Sequence, residues 1–174
     1  DIYSILEDIG KVIDLPLKLH SYPTGSDIGT WIIPPSWNVR DARLMTIDQT
    51  TIVSYNDHPL FLAPYSMNVD KIISRDDLLD HISFHPKLED AFYYEHRLAY
   101  DYQRNLKEWR ITMPKTLWDS LKDSHYRIKI DCDVYDSEML VGEYTIPGET
   151  TETIALLADY CHPGQVNDSF SGLA

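Results

Sequence analysis

The sequence predicts an α/β protein in two parts, an outer α/β domain divided between the two ends of the chain and a β-rich α+β domain inserted between them. Three observations carry this reading. Apolar residues recur at helical spacing at the start and a strand-like segment follows. From Trp37 the texture changes to short β segments separated by turns, and at Ile154 a continuous apolar run returns. The expected boundaries are residues 1–36 for the first part of the outer domain, 37–142 for the insert, and 143–174 for the return to the outer domain.

Ile2, Ile5, Leu6, Ile9, Val12 and Ile13 recur at helical spacing with Asp1, Ser4, Glu7, Asp8 and Lys11 between them, so residues 2–14 read as an amphipathic helix that Pro16 ends. Alternation from Leu17 to Tyr22 predicts a strand leading to the Pro23-Thr24-Gly25 turn, and Thr30 to Ile33 is a second short strand stopped by Pro34 and Pro35. Within the insert, strands are expected over Asn38 to Ile47, Thr51 to Tyr55 and Leu60 to Tyr65. Asn56, Asp57 and Pro59 mark the last turn. Ser74 with Asp76 and Asp77 opens a short helix whose exit is expected near His85-Pro86. Pro114 to Leu121 reads as another helix. Tyr126 to Cys132 alternates apolar and charged residues, a strand with one wet face, and Leu140 to Ile146 is its expected partner. The aromatic stretch from Phe92 to Tyr102 suits a platform for sugar rings or peptide side chains, although core and interface packing is the more economical explanation.

Composition narrows the classes of function. Across 174 residues, 43% are hydrophobic and 25% charged, which is ordinary globular usage and excludes disorder or a fibrous repeat. A net charge of −13 opposes nucleic acid or an anionic membrane as partner, because both demand a basic surface. No run approaches the roughly 20 apolar residues of a membrane helix, and no signal peptide is visible, so a cytoplasmic location is expected. Cys132 and Cys161 are far apart and have no C-x-x-C spacing, which argues for two reduced, partly buried thiols. No G-x-S-x-G elbow, phosphate-binding glycine loop or dinucleotide fingerprint is present.

Closely spaced potential metal ligands occur in one place, the last stretch of the chain. Ile154 to Ala158 fits a strand buried on both faces, and the residues following it include Asp159, Cys161, His162, Asn167 and Asp168. His162 offers a nitrogen ligand and Asp168 a carboxylate able to span two cations, a pairing suited to zinc. Two ligands do not complete a site, and on these residues alone a solvated loop is the commoner outcome. The other histidines, 20, 58, 81, 85, 96 and 125, have no ligand spacing, and His81 with His85 reads as a surface pair.

The string CHPGQVNDSFSGLA resembles the co-catalytic zinc aminopeptidase family. It is most similar to a bacterial aminopeptidase-like subgroup associated with polysaccharide biosynthesis, whose members carry an inserted domain of unknown function. YPTGSDIGTWIIPPSWNVRDA, from Tyr22 to Ala42, and GEYTIPGET, from Gly142 to Thr150, look like the segments flanking that insert. The resemblance implies that His162 binds one zinc ion and that Asp168 bridges two. It implies a partial zinc-peptidase-type mixed sheet and a peptide or aminoacyl-type substrate. The general-base Glu and the other ligands are expected beyond Ala174, leaving no catalytic residue assigned here and the 174-residue chain by itself inactive. Gly164 and Ser169 depart from the family's usual Asp and the subgroup's usual Asn. A strand left uncovered at Ile154 would favour homo-oligomers. The competing reading is a scaffold in which residues 37–142 dock a saccharide or a protein and the metal motif is vestigial.

Overall fold

The computed structural model describes residues 2–96 and 108–158. The fold is mixed α/β, dominated by small sheets with few helices. It divides into two units, Pro34–Asp136 and the combination of Asp1–Ile33 with Ser137–Ala174.

In the outer unit, helix α1 (Ile2–Ile13) follows the predicted periodicity. It ends where Asp14 adopts a left-handed backbone (φ 53°) two residues before Pro16. Strand β1 (Lys18–Pro23) pairs antiparallel with β10 (Glu138–Glu143), from Lys18 opposite Glu143 to Pro23 opposite Glu138. Thr24 and Ser137 lock the end of this pair: the Thr24 amide donates to the Ser137 carbonyl at 2.8 Å, and the Ser137 amide to the Thr24 hydroxyl at 2.9 Å. A two-residue hairpin, β2 (Asp27–Ile28) with β3 (Trp31–Ile32), turns at Gly29, whose φ of 66° suits glycine. The helix packs on β10. Tyr144 donates its hydroxyl to the Leu6 carbonyl, and a Cβ on Gly142 would lie 2.9 Å from Leu6 Cδ2 and 3.1 Å from Leu17 Cδ1.

The inner unit is built on a four-stranded antiparallel sheet in the order β5-β4-β9-β6, formed by β4 (Ser36–Met45), β5 (Thr51–Ser54), β6 (Val69–Ser74) and β9 (His125–Tyr135). The alternation in β9 is the two-faced pattern that the sequence shows. Tyr126, Ile128, Ile130 and Cys132 are buried. Arg127, Lys129, Asp131 and Asp133 occupy the other face, among ion pairs in which Arg40 meets Asp131 and Asp133, Arg127 meets Asp70, and Asp41 meets Arg43 and Lys129. A bulge between Val39 and Asp41 shifts the β4 register.

Helix α2 (Arg75–Leu79) is capped as expected, the Ser74 hydroxyl accepting the Asp77 amide at 3.1 Å. It stops at Leu79, well short of His85, and a short strand β7 (Ile82–Ser83) runs parallel to β8 (Ile111–Thr112). Helix α3 (Lys115–Ser120) buries Trp118, over whose ring Arg75 lies at 4.2 Å. The core gathers Leu44, Phe61, Leu78, Trp109, Ile111, Met113 and Trp118 under the apolar face of the sheet.

Three strand expectations need correcting. Leu60 to Tyr65 is not a strand: Pro59–Phe61 forms a 3-10 turn, because Pro59 presets its first position and His58 Nδ1 accepts the Leu60 amide at 3.1 Å. Only Leu62 makes a bridge, to Ile111. Second, Leu140 to Ile146 does not partner Tyr126 to Cys132. Both edges of β9 are taken by β4 and β6, and residues 138–143 pair with β1. Third, Ile154 to Ala158 forms no buried strand. Ile154, Leu156 and Leu157 are 91%, 91% and 94% exposed, and no described residue supplies the second backbone that a β ladder requires.

Candidate functional site

The two metal ligands expected from the sequence, His162 and Asp168, lie outside the described residues, as do Asp159, Cys161 and Asn167. Among the described residues no three His, Cys, Asp or Glu side chains gather to hold a metal ion. Cys132 is a buried free thiol that donates to the Ser66 carbonyl at 3.1 Å, and burial raises its pKa, so it is a packing residue rather than a nucleophile. No helix among the described residues is long and apolar enough to cross a membrane.

Four of the described histidines are engaged in structural contacts. His58 and His85 each lend Nδ1 to backbone amides, His58 to Leu60 and His85 to Lys87 and Leu88. His81 is not a surface partner of His85. Its ring stacks on Trp109 at 3.9 Å, with Nδ1 3.1 Å from the Trp109 carbonyl and 3.3 Å from Glu108. In the outer unit, His20 Nε2 donates to Glu143 at 2.7 Å beside Lys18 at 3.2 Å, and these bonds, the histidine's foremost, hold the Glu143 carboxyl below its ordinary range.

A buried polar pair lies at the edge of a cleft in the inner unit. Ser83, on β7, donates its hydroxyl at 2.6 Å to Glu95, a carboxylate only 1% exposed. Burying a carboxylate is expensive unless donors hold it, so the fold commits hydroxyl chemistry to this position. Beside it opens a cleft of about 430 Å³ lined by Ser83, Phe84, Tyr93, His96 and Arg110, with Ile82 and Pro86. Sequence reasoning singled out the aromatic stretch but not Ser83, Glu95 or Arg110. An acid enclosed in the run Tyr93-Tyr94-Glu95-His96 was the available signal.

Residues 36–133 match the family described as a domain of unknown function, DUF2172. The chain belongs to the DUF2172 family. The match begins on the first residue of β4 and ends within β9, so the DUF2172 domain coincides with the inner unit. All of the chain aligns at 30% identity, over 191 positions, with a Clostridium acetobutylicum protein named for polysaccharide biosynthesis and for an aminopeptidase-like domain. A crystal structure of a Clostridium acetobutylicum protein named as a peptidase shares the fold of 86% of this chain, with a TM-score of 0.64 at 23% identity. The chain spans 43% of the length of the first protein and 38% of the second.

Proposed function

We propose that this chain is the N-terminal part of a zinc-dependent aminopeptidase-like hydrolase, with the DUF2172 domain inserted into its catalytic α/β domain. The observation that carries the reading is the alignment of the whole chain, including CHPGQVNDSFSGLA, with a longer relative named for an aminopeptidase-like domain. The split of the outer unit around Pro34–Asp136 supports an insertion.

The donor set fits zinc: an imidazole from His162 and a carboxylate from Asp168 are nitrogen and oxygen ligands of the kind that zinc takes. Bound there, two ions would polarise the scissile carbonyl and acidify a water. His162 would hold zinc through an imidazole nitrogen, and Asp168 would supply the carboxylate that serves both ions. The remaining ligands and the base that removes the proton would come from the longer protein. The substrate would be a peptide or aminoacyl amide, and the enzyme would act in the cytoplasm.

Zinc titration by calorimetry, on this chain and on the full-length protein, tests the reading together with hydrolysis of an aminoacyl p-nitroanilide. The full-length protein should bind two zinc ions and turn over. His162→Ala and Asp168→Ala should each abolish turnover, and the 174-residue chain should do neither, since a stable site takes three or four protein ligands. A full-length protein that neither binds zinc nor hydrolyses the amide would shift the weight to a binding scaffold.

A further inference from the structure

We propose that the cleft around Arg110 in the DUF2172 domain binds an acidic sugar, with Arg110 taking the carboxylate and Phe84 and Tyr93 flanking the ring. The argument begins with charge. Of the arginines among the described residues, Arg40, Arg43 and Arg127 meet aspartates and Arg75 lies over Trp118. Arg110 alone among them has neither an acidic nor an aromatic partner in the described residues, in a chain whose net charge is −13. A guanidinium left unpaired where acids outnumber bases, and set in a concave wall, is a fork for a carboxylate.

Its mounting is rigid. The Arg110 amide donates to the Ser66 hydroxyl at 3.1 Å, its carbonyl accepts from the Ala63 amide at 3.0 Å, and Trp109 and Ile111 on either side are buried. The binding group is thus positioned by backbone bonds and core packing before any ligand arrives. Tyr93 is braced edge-on by His85, with ring centroids 6.2 Å apart, and its hydroxyl has no partner among the described residues. The Ser83 wall is fixed by the bond to Glu95.

Flat rings take the apolar C–H face of a pyranose while a phenol and a guanidinium meet its polar edge. At about 430 Å³ the cleft lies within the range of small-ligand sites. Its lining sets the polar groups Ser83, His96 and Arg110 beside the aromatic rings of Phe84 and Tyr93, a mixture that suits the alternating polar edge and C–H face of a sugar. The proposal does not depend on His162 or Asp168, so it stands or falls apart from the hydrolase.

The test is nuclear magnetic resonance titration of the 174-residue chain with glucuronate, glucose and N-acetyl-dialanine. Glucuronate should shift the Arg110, Tyr93 and Ser83 signals at millimolar concentration and bind roughly tenfold tighter than glucose. Arg110→Gln should erase that preference without moving the unfolding midpoint, because no acidic or aromatic side chain among the described residues pairs with the guanidinium. Arg110→Lys keeps the charge but loses the fork, so it should restore only part of the preference, and it serves as the test if the glutamine variant fails to fold. His162→Ala should bind as the parent does. Equal binding of glucose and glucuronate, no binding of either, or tighter binding of N-acetyl-dialanine would overturn the proposal.

Discussion

The DUF2172 domain and the outer unit handle their apolar residues in opposite ways. In the first, Leu44, Phe61, Leu78, Ile111, Met113, Tyr126 and Ile128 are all fully buried under one sheet. In the second, Ile33 is the one apolar residue that the described structure buries, while Val12, Ile146, Ile154, Leu156 and Leu157 stand in solvent. A unit whose hydrophobic surface is removed from water carries its own stability. One whose apolar residues stay wet in this chain gains little from them here, and its described part is held by two antiparallel strand pairs and a docked helix.

The largest expected break in this contrast comes from the core. Phe61→Ala should destabilise the DUF2172 domain by about 3–5 kcal/mol, whereas Leu156→Ala should stay within about 0.5 kcal/mol of the parent. Urea unfolding followed by tryptophan fluorescence would show a lowered midpoint for the first and an unchanged one for the second.

Gly142→Val should act on the outer unit alone. Its new methyls would press on Leu6 and Leu17, where a Cβ already comes within 2.9 and 3.1 Å. A loss of about 1–3 kcal/mol is expected. Amide hydrogen exchange should accelerate across residues 18–23 and 138–143 and remain unchanged in β4 and β9.

Removing the cap on α2 is a smaller perturbation. Ser74→Ala should cost about 1 kcal/mol, and Ser74→Asp should keep most of it, because the carboxylate can accept the same Asp77 amide. Thermal unfolding of the two variants separates these outcomes.

Acid should produce the smallest effect. The Glu143 carboxyl is held below its ordinary range, first by His20 and then by Lys18. A depressed folded pKa means that the contribution is complete above the unfolded value of 4.5 and is lost as pH falls through the folded one. Unfolding midpoints of the parent, taken downward from pH 5.5, should therefore carry a small loss that Glu143→Gln lacks. Added salt should shrink it, since the pair is exposed.

Local pattern made much of this fold legible. The spacing of Ile5, Leu6, Ile9 and Ile13 marks α1, the alternation from Tyr126 to Cys132 marks β9, and Ser74 before two aspartates marks α2. What failed were questions of partnership. Residues 138–143 read as a strand, but nothing local says that their ladder is Lys18–Pro23, far away in sequence, rather than the nearer β9. Apolar content at Ile154 to Ala158 suggests burial, yet burial is a property of neighbours, and the described residues provide none. Likewise Phe61 and Leu62 are apolar enough for a strand, while the proline and histidine before them decide for a turn. His162 and Asp168 were legible as a motif and lie outside the described residues. Arg110 was invisible as a candidate, because lacking a counter-ion is a spatial fact.

One feature of the DUF2172 domain bears on how such a protein could arise. Its first and last strands are neighbours, with Ser36 opposite Tyr135 and Trp37 opposite Val134, so the chain leaves the domain beside the point where it came in. Residues paired across an antiparallel ladder have Cα atoms only ~4.5–5.5 Å apart, a gap that an ordinary tight turn closes. To a host fold the whole domain is therefore equivalent to the tip of a hairpin. It could be lost, acquired or exchanged at that point without stretching the backbone on either side, and loop-closure entropy would penalise its length only logarithmically.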